Sequence, residues 1–133
     1  MATAPIVEAF IEAELQRTGL EPAALALVGF SQGAMMALHM GLRGSKTPAS
    51  IVSFSGMLLG VDQLDSLSAR PPVFLAHGSL DDIVPFAAMG LTKAALESLQ
   101  INVTPYVEQG MAHGIDGEAT WLAGEFLAKN FST

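Results

Sequence analysis

The sequence predicts an α/β fold, a parallel sheet of about four strands with helices on both faces. Three observations carry this. Short, largely apolar runs read as strands buried on both sides: Leu25-Ala26-Leu27-Val28, Ile51-Val52-Ser53-Phe54 and Val73-Phe74-Leu75-Ala76. Stretches with helical spacing alternate with them. Polar or glycine-bearing loops follow the strand ends, and right-handed crossovers would gather those loops along one edge of the sheet.

The chain opens with Ile6, Val7, Phe10, Ile11 and Leu15 at helical spacing and Glu8, Glu12 and Arg17 on the opposite face. This is an amphipathic helix with Pro5 in its first turn and an end near Gly19. Leu20-Glu21-Pro22 leads to the first strand, and Gly29-Phe30-Ser31-Gln32-Gly33 leads out of it into a helix of Ala, Met and Leu that should end around Gly41 to Gly44. Ser45 to Pro48 is a loop, Ile51 to Gly56 the second strand, and about Leu58 to Arg70 a loop carrying Asp62 and Asp65. Pro71 and Pro72 precede the third strand, Val73 to Ala76, which gives way to a polar loop from His77 to Pro85. Phe86 to Leu99 has helical spacing, weakened at Gly90 by ~1 kcal/mol relative to Ala. Ile101 to Val107 alternates as a fourth strand, and Glu108 to Gly114 is a loop. A final helix from about Asp116 to Asn130 presents Trp121, Leu122, Phe126 and Leu127 as one apolar face. The sequence contains no internal repeat.

Composition bounds the function. A chain of 133 residues suffices for one domain, 1–133, and not for two. Thirteen acidic against 6 basic side chains, a net charge of -7, leave no basic patch for nucleic acid. The absence of cysteine excludes disulfides, a cysteine nucleophile and thiolate metal sites, and no cluster of His and carboxylates has metal-ligand spacing. No cofactor or metal is implied. The N-terminus has no basic region or uninterrupted apolar core, so a cytoplasmic location is expected. The uncharged run from Pro22 to Leu42 is long enough to span a bilayer, but its Gly29, Ser31, Gln32, Gly33 and His39 fit strand, turn and helix better. Half the residues are hydrophobic and the mean hydropathy is +0.43. So oily a small chain is expected to bury apolar surface against a partner or against a part of the domain outside it.

The chemistry centres on Gly29-x-Ser31-x-Gly33. Between a strand and a helix, this pattern holds a serine in a strained turn at the top of a sheet, and both glycines are expected where strand and helix pass too close for side chains. Ser31 then sits at a helix N-terminus that favours negative charge, with the backbone N–H of Gln32 directed at any oxyanion formed when Ser31 attacks a carbonyl. A serine hydroxyl needs an imidazole to take its proton, and the imidazole needs a carboxylate to fix its tautomer. The shared edge supplies both: the Asp81/Asp82 loop after the third strand and His113 after the fourth. The order Ser, Asp, His is that of an α/β-hydrolase sheet.

Gly29-Phe30-Ser31-Gln32-Gly33-Ala34, Ser55-Gly56, His77-Gly78-x-x-Asp81-x-x-Val84-Pro85 and Gly110-Met111-x-His113 together resemble the phospholipase/carboxylesterase family of α/β-hydrolases, which includes bacterial carboxylesterases and acyl-protein thioesterases. The resemblance implies Ser31 as nucleophile, Asp81 rather than Asp82 as acid and His113 as base. It also implies what is missing. Members of the family begin with further strands and a His-Gly loop that gives a second oxyanion donor, whereas this sequence starts at the helix before the nucleophile strand. The expected fold is therefore an α/β-hydrolase sheet truncated on its N-terminal side. Its first strand would form an open edge beside an apolar helix face, to be covered in a homodimer or larger assembly.

The expected activity is hydrolysis of small carboxylic esters or thioesters through an acyl-enzyme on Ser31. The rival expectation is a weak or inactive C-terminal fragment of such a hydrolase that serves as a self-associating module. His39 and His77 read as structural histidines, Ser55-Gly56 as the shape of a strand end, and Met57 and Met111 as candidate lining of an acyl pocket.

Overall fold

The computed structural model describes residues 3–61, 63–64 and 67–131, so Asp62 and Asp65 lie outside the described residues. Four parallel strands, β1 (Ala26–Phe30), β2 (Ser50–Phe54), β3 (Val73–Gly78) and β4 (Val103–Glu108), pair in the order β1-β2-β3-β4. α1 (Ala4–Thr18) precedes β1, α2 (Gln32–Arg43) joins β1 to β2, α3 (Ala87–Ser98) joins β3 to β4, and α4 (Gly117–Asn130) follows β4. The predicted fold class, a parallel sheet of about four strands with helices on both faces, stands. The link from β2 to β3 is an irregular loop tied to α2 by Arg43, whose guanidinium donates to the carbonyls of Leu59, Gly60 and Gln63.

The sheet is buried in its middle and open at its sides. β2 and β3 are buried along their whole length. On one face Ile51, Val73 and Leu75 pack with Leu38 and Leu42 of α2 and Met89 and Leu96 of α3. On the other, Val52, Phe54, Phe74 and Ala76 meet Ala119, Ala123 and Phe126 of α4. Each large apolar side chain sealed in this way contributes roughly 1.5–3 kcal/mol relative to exposure. β4 is an edge strand and tolerates Pro105, which has no N–H to donate.

Several boundaries and one face differ from expectation: β2 ends at Phe54 rather than Gly56, and β4 runs from Val103 to Glu108 rather than from Ile101 to Val107. β3 continues through His77 and Gly78, because β4 extends alongside them with Val107 and Glu108 in register. α4 turns Ala119, Ala123 and Phe126 inward, and Trp121 is 61% exposed. Residues four and three apart share a helix face, whereas Trp121 lies about 200° around the axis from Ala119. The small alanines allow the helix to sit close to the sheet.

The β1 side is open, as expected. Val28 and Phe30 are in register with Val52 and Phe54 on the face that α4 covers over β2 and β3, yet they are 54% and 40% exposed. Of the apolar face of α1 only Ile11 is buried, while Ile6 and Phe10 face solvent. A groove of about 500 Å³ runs between α1, β1 and α2, lined by Phe10, Leu15, Val28, Gly33, Met36 and Met40 among others.

Candidate active site

Three strand ends bring Ser31, Asp81 and His113 together. Ser31 follows β1 directly with φ 57° and ψ -118°, a conformation that costs an L-residue on the order of 1–3 kcal/mol. The sheet holds it there: its N–H donates to Phe54 O at 2.9 Å, and α2 starts at the next residue. Gly29 is required, since a Cβ on it would collide with the carbonyl group of Gly33 and lie 2.6 Å from Ala34 N. The same expectation for Gly33 is corrected, because a Cβ there would meet nothing within 4 Å. The close approach is between the α carbon of Gly29 and the backbone of Gly33, and Gly33 itself faces the open groove.

Asp81 lies in the turn after β3. Its Oδ1 accepts the N–H groups of Ile83 and Val84, both at 2.9 Å, which leaves Oδ2 to accept from His113 Nδ1 at 2.7 Å. Burial by itself would raise the Asp81 carboxyl, but the bonds from His113, Val84 and Ile83 outweigh it and hold the group below the ordinary aspartate range. His77 is buried, as a structural histidine should be. Its Nε2 bonds Val84 O at 2.8 Å and stands 3.3 Å from Asp81 Oδ2. Asp82 is exposed and the contact with His113 belongs to Asp81.

His113 closes the chain of contacts, with Nε2 2.9 Å from Ser31 Oγ. With Nδ1–H donating to Asp81, Nε2 is free to accept the serine proton. The Phe30 ring flanks the imidazole, with centroids 4.8 Å apart. The loop bearing His113 crosses so close over the end of β3 that a Cβ on Gly78 would overlap the carbonyls of Met111 and Ala112. Ser79 Oγ accepts the N–H of Gly110 at 2.7 Å, and Leu80 N–H donates to Met111 O at 2.9 Å. Ser55, with φ 56°, ends β2 and directs its hydroxyl to Gly114 O at 3.4 Å.

Sequence reasoning missed the roles of Gly78 and Ser79. The one signal available was a glycine and a small hydroxyl residue directly after an apolar strand.

Gln32 is the first residue of α2, so its N–H belongs to the turn whose donors have no partner within the helix. His39 is partly buried on α2, and burial lowers its basicity. Neither Met57 nor Met111 lines the 500 Å³ groove, and that groove contains none of Ser31, Asp81 and His113. The reactive chemistry and this apolar groove are thus separate features. Among the described residues no three His, Asp or Glu side chains are placed to hold a metal ion, and no helix is long and apolar enough to cross a membrane.

Acyl-protein thioesterase 1 of Neurospora crassa is 30% identical over 118 residues, covering 84% of this chain and 48% of that protein. Esterase YpfH of Escherichia coli is 27% identical over 112 residues, covering 84% and 47%. The chain therefore spans about half the length of these curated relatives. The crystal structure of esterase PE8 matches with a TM-score of 0.93 and 37% identity over 97% of this chain and 60% of that one. Arabidopsis thaliana SOBER1, at 21% identity and a TM-score of 0.89 over 98% of this chain and 64% of that one, shares the fold. The profile of the phospholipase/carboxylesterase family matches residues 1–131, and the chain belongs to that family.

Proposed function

We propose that the chain is a serine hydrolase acting on small carboxylic esters or thioesters through an acyl-enzyme. The observation that carries this reading is the continuous line from Ser31 Oγ to His113 Nε2, 2.9 Å, and from His113 Nδ1 to Asp81 Oδ2, 2.7 Å. His113 takes the hydroxyl proton as Ser31 attacks the carbonyl carbon, and Asp81 orients the ring and stabilises the imidazolium. The oxyanion is held by the N–H of Gln32 at the start of α2. Collapse of the tetrahedral intermediate expels the alcohol or thiol, which takes its proton from His113. Water, deprotonated by the same imidazole, then frees the acyl group as a carboxylic acid. A cytoplasmic setting stays part of this proposal, supported by the cysteine-free sequence.

A second reading is favoured by the β1 side, where Val28, Phe30, Ile6 and Phe10 are all exposed. In it the chain is a weak or inactive hydrolase fragment that self-associates through this edge. Losing one of two oxyanion donors lowers the rate by about 10²–10³. The two readings part on covalent labelling. Incubation with an organophosphorus ester, followed by peptide mass spectrometry, should find the adduct on Ser31 and should fail with His113→Ala. Equal, slow labelling of many hydroxyls in both proteins would reject the enzyme reading.

A further inference from the structure

Glu108, the last residue of β4, has no part in the chemistry above, yet its side chain is fully buried. It holds the His113 loop at both ends. Its backbone carbonyl accepts the N–H of Met111 at 3.1 Å and that of Ser79 at 3.1 Å. Its Oε2 accepts the N–H of Asp116 at 2.6 Å, at the far end of the loop. Asp116 in turn caps α4, its Oδ1 accepting the N–H of Ala119 at 2.6 Å. Glu108 Oε1 has no partner, which makes this an expensive residue to bury for a local bond alone.

We infer that Glu108 is a positioning residue for His113: its carboxyl ties the first residue after the loop to the end of β4 and so sets where the imidazole stands between Ser31 and Asp81. Burial raises the Glu108 carboxyl, the bond from Asp116 N–H opposes this, and the charges of Asp116 and Asp81 add to the rise. A glutamine, neutral and with an accepting oxygen at the same reach, should replace it. Alanine, or aspartate one methylene shorter, should not.

This inference rests on the reading of His113 as the base, so the test is made without catalysis. Proton NMR of the free protein follows the low-field Nδ1–H of His113 and the titration of its ring. The wild type and Glu108→Gln should share the resonance and titrate alike. Glu108→Ala and Glu108→Asp should lose or shift both, while the amide signals of β1, β2 and α2 stay in place. A His113 signal unchanged in Glu108→Ala would overturn the inference. So would loss in Glu108→Gln as severe as in Glu108→Ala, or collapse of amide dispersion across the whole sheet in Glu108→Ala and Glu108→Asp. Ser31 labelling should fall on the order of 10²-fold in Glu108→Ala, the scale expected for a misplaced catalytic group. A wild type that shows the His113 resonance but never labels would sink the enzyme reading and leave the positioning role standing.

Discussion

Ser31 occupies a strained backbone position, and its two flanking glycines answer to different physics. A methyl group on Gly29 has no room beside the backbone of Gly33 and Ala34, so Gly29→Ala should cost about 1–3 kcal/mol through overpacking. Gly33 lies in the first turn of α2 with open space around it, so Gly33→Ala should be neutral or stabilising by up to ~1 kcal/mol. Thermal unfolding of both variants checks this, and equal losses at the two positions would contradict it. The motif told the sequence reader that the turn was tight without telling which glycine was squeezed. The two buried carboxyls near His113 have opposite pH signatures. Asp81 is lowered from 3.8, so its stabilising contribution is complete above that value and disappears as pH falls through the folded pKa. Glu108 is raised from 4.5, so folding is favoured most below that value and loses ground as pH rises toward the folded pKa. Urea titrations across pH should show Asp81→Asn removing the acid-side loss and Glu108→Gln removing the loss above pH 4.5. Curves parallel to the wild type would contradict both assignments.

Among the elements, β2 and β3 were the most legible, because a strand buried on both faces reads as an unbroken apolar run. The helix ends at Gly19 and Gly44 were legible because glycine is common just past a last turn, and Gly19 takes the left-handed conformation there, whereas Gly41 and Gly90 lie inside helices that packing carries past them. α4 was read correctly at Leu122, Phe126 and Leu127, which pack on the core side, and wrongly at Trp121, which faces solvent. The bulk of Trp121 suggested an inward face, whereas packing against the sheet chose Ala119, Ala123 and Phe126. β3 ran two residues beyond its apolar stretch because pairing with β4, a tertiary interaction, outweighs the polarity of His77. The hydrogen bonds that fix the His113 loop join residues of mixed type at irregular separations, and no periodicity announces them. The order of Ser31, Asp81 and His113, in contrast, was readable from motifs alone because each sits at the end of a strand and its loop follows.

At the scale of the whole molecule, the sheet has an apolar, unpaired side at β1, and we propose that a second copy of the chain covers it. Light scattering at micromolar concentration should then give a mass above that of the monomer. Val28→Lys, which places a charge on the exposed face of the edge strand, should shift the population toward monomer while leaving the fold intact. A wild-type chain that stays monomeric and soluble throughout would contradict the assembly. The same experiment bears on catalysis if a neighbouring copy contributes an oxyanion donor, since activity per chain would then rise with concentration. The most direct test of the hydrolase reading is the turnover of p-nitrophenyl acetate and butyrate by the purified chain beside Ser31→Ala, over a range of protein concentrations. The account predicts hydrolysis that the substitution abolishes; equally feeble rates in the two proteins would contradict it.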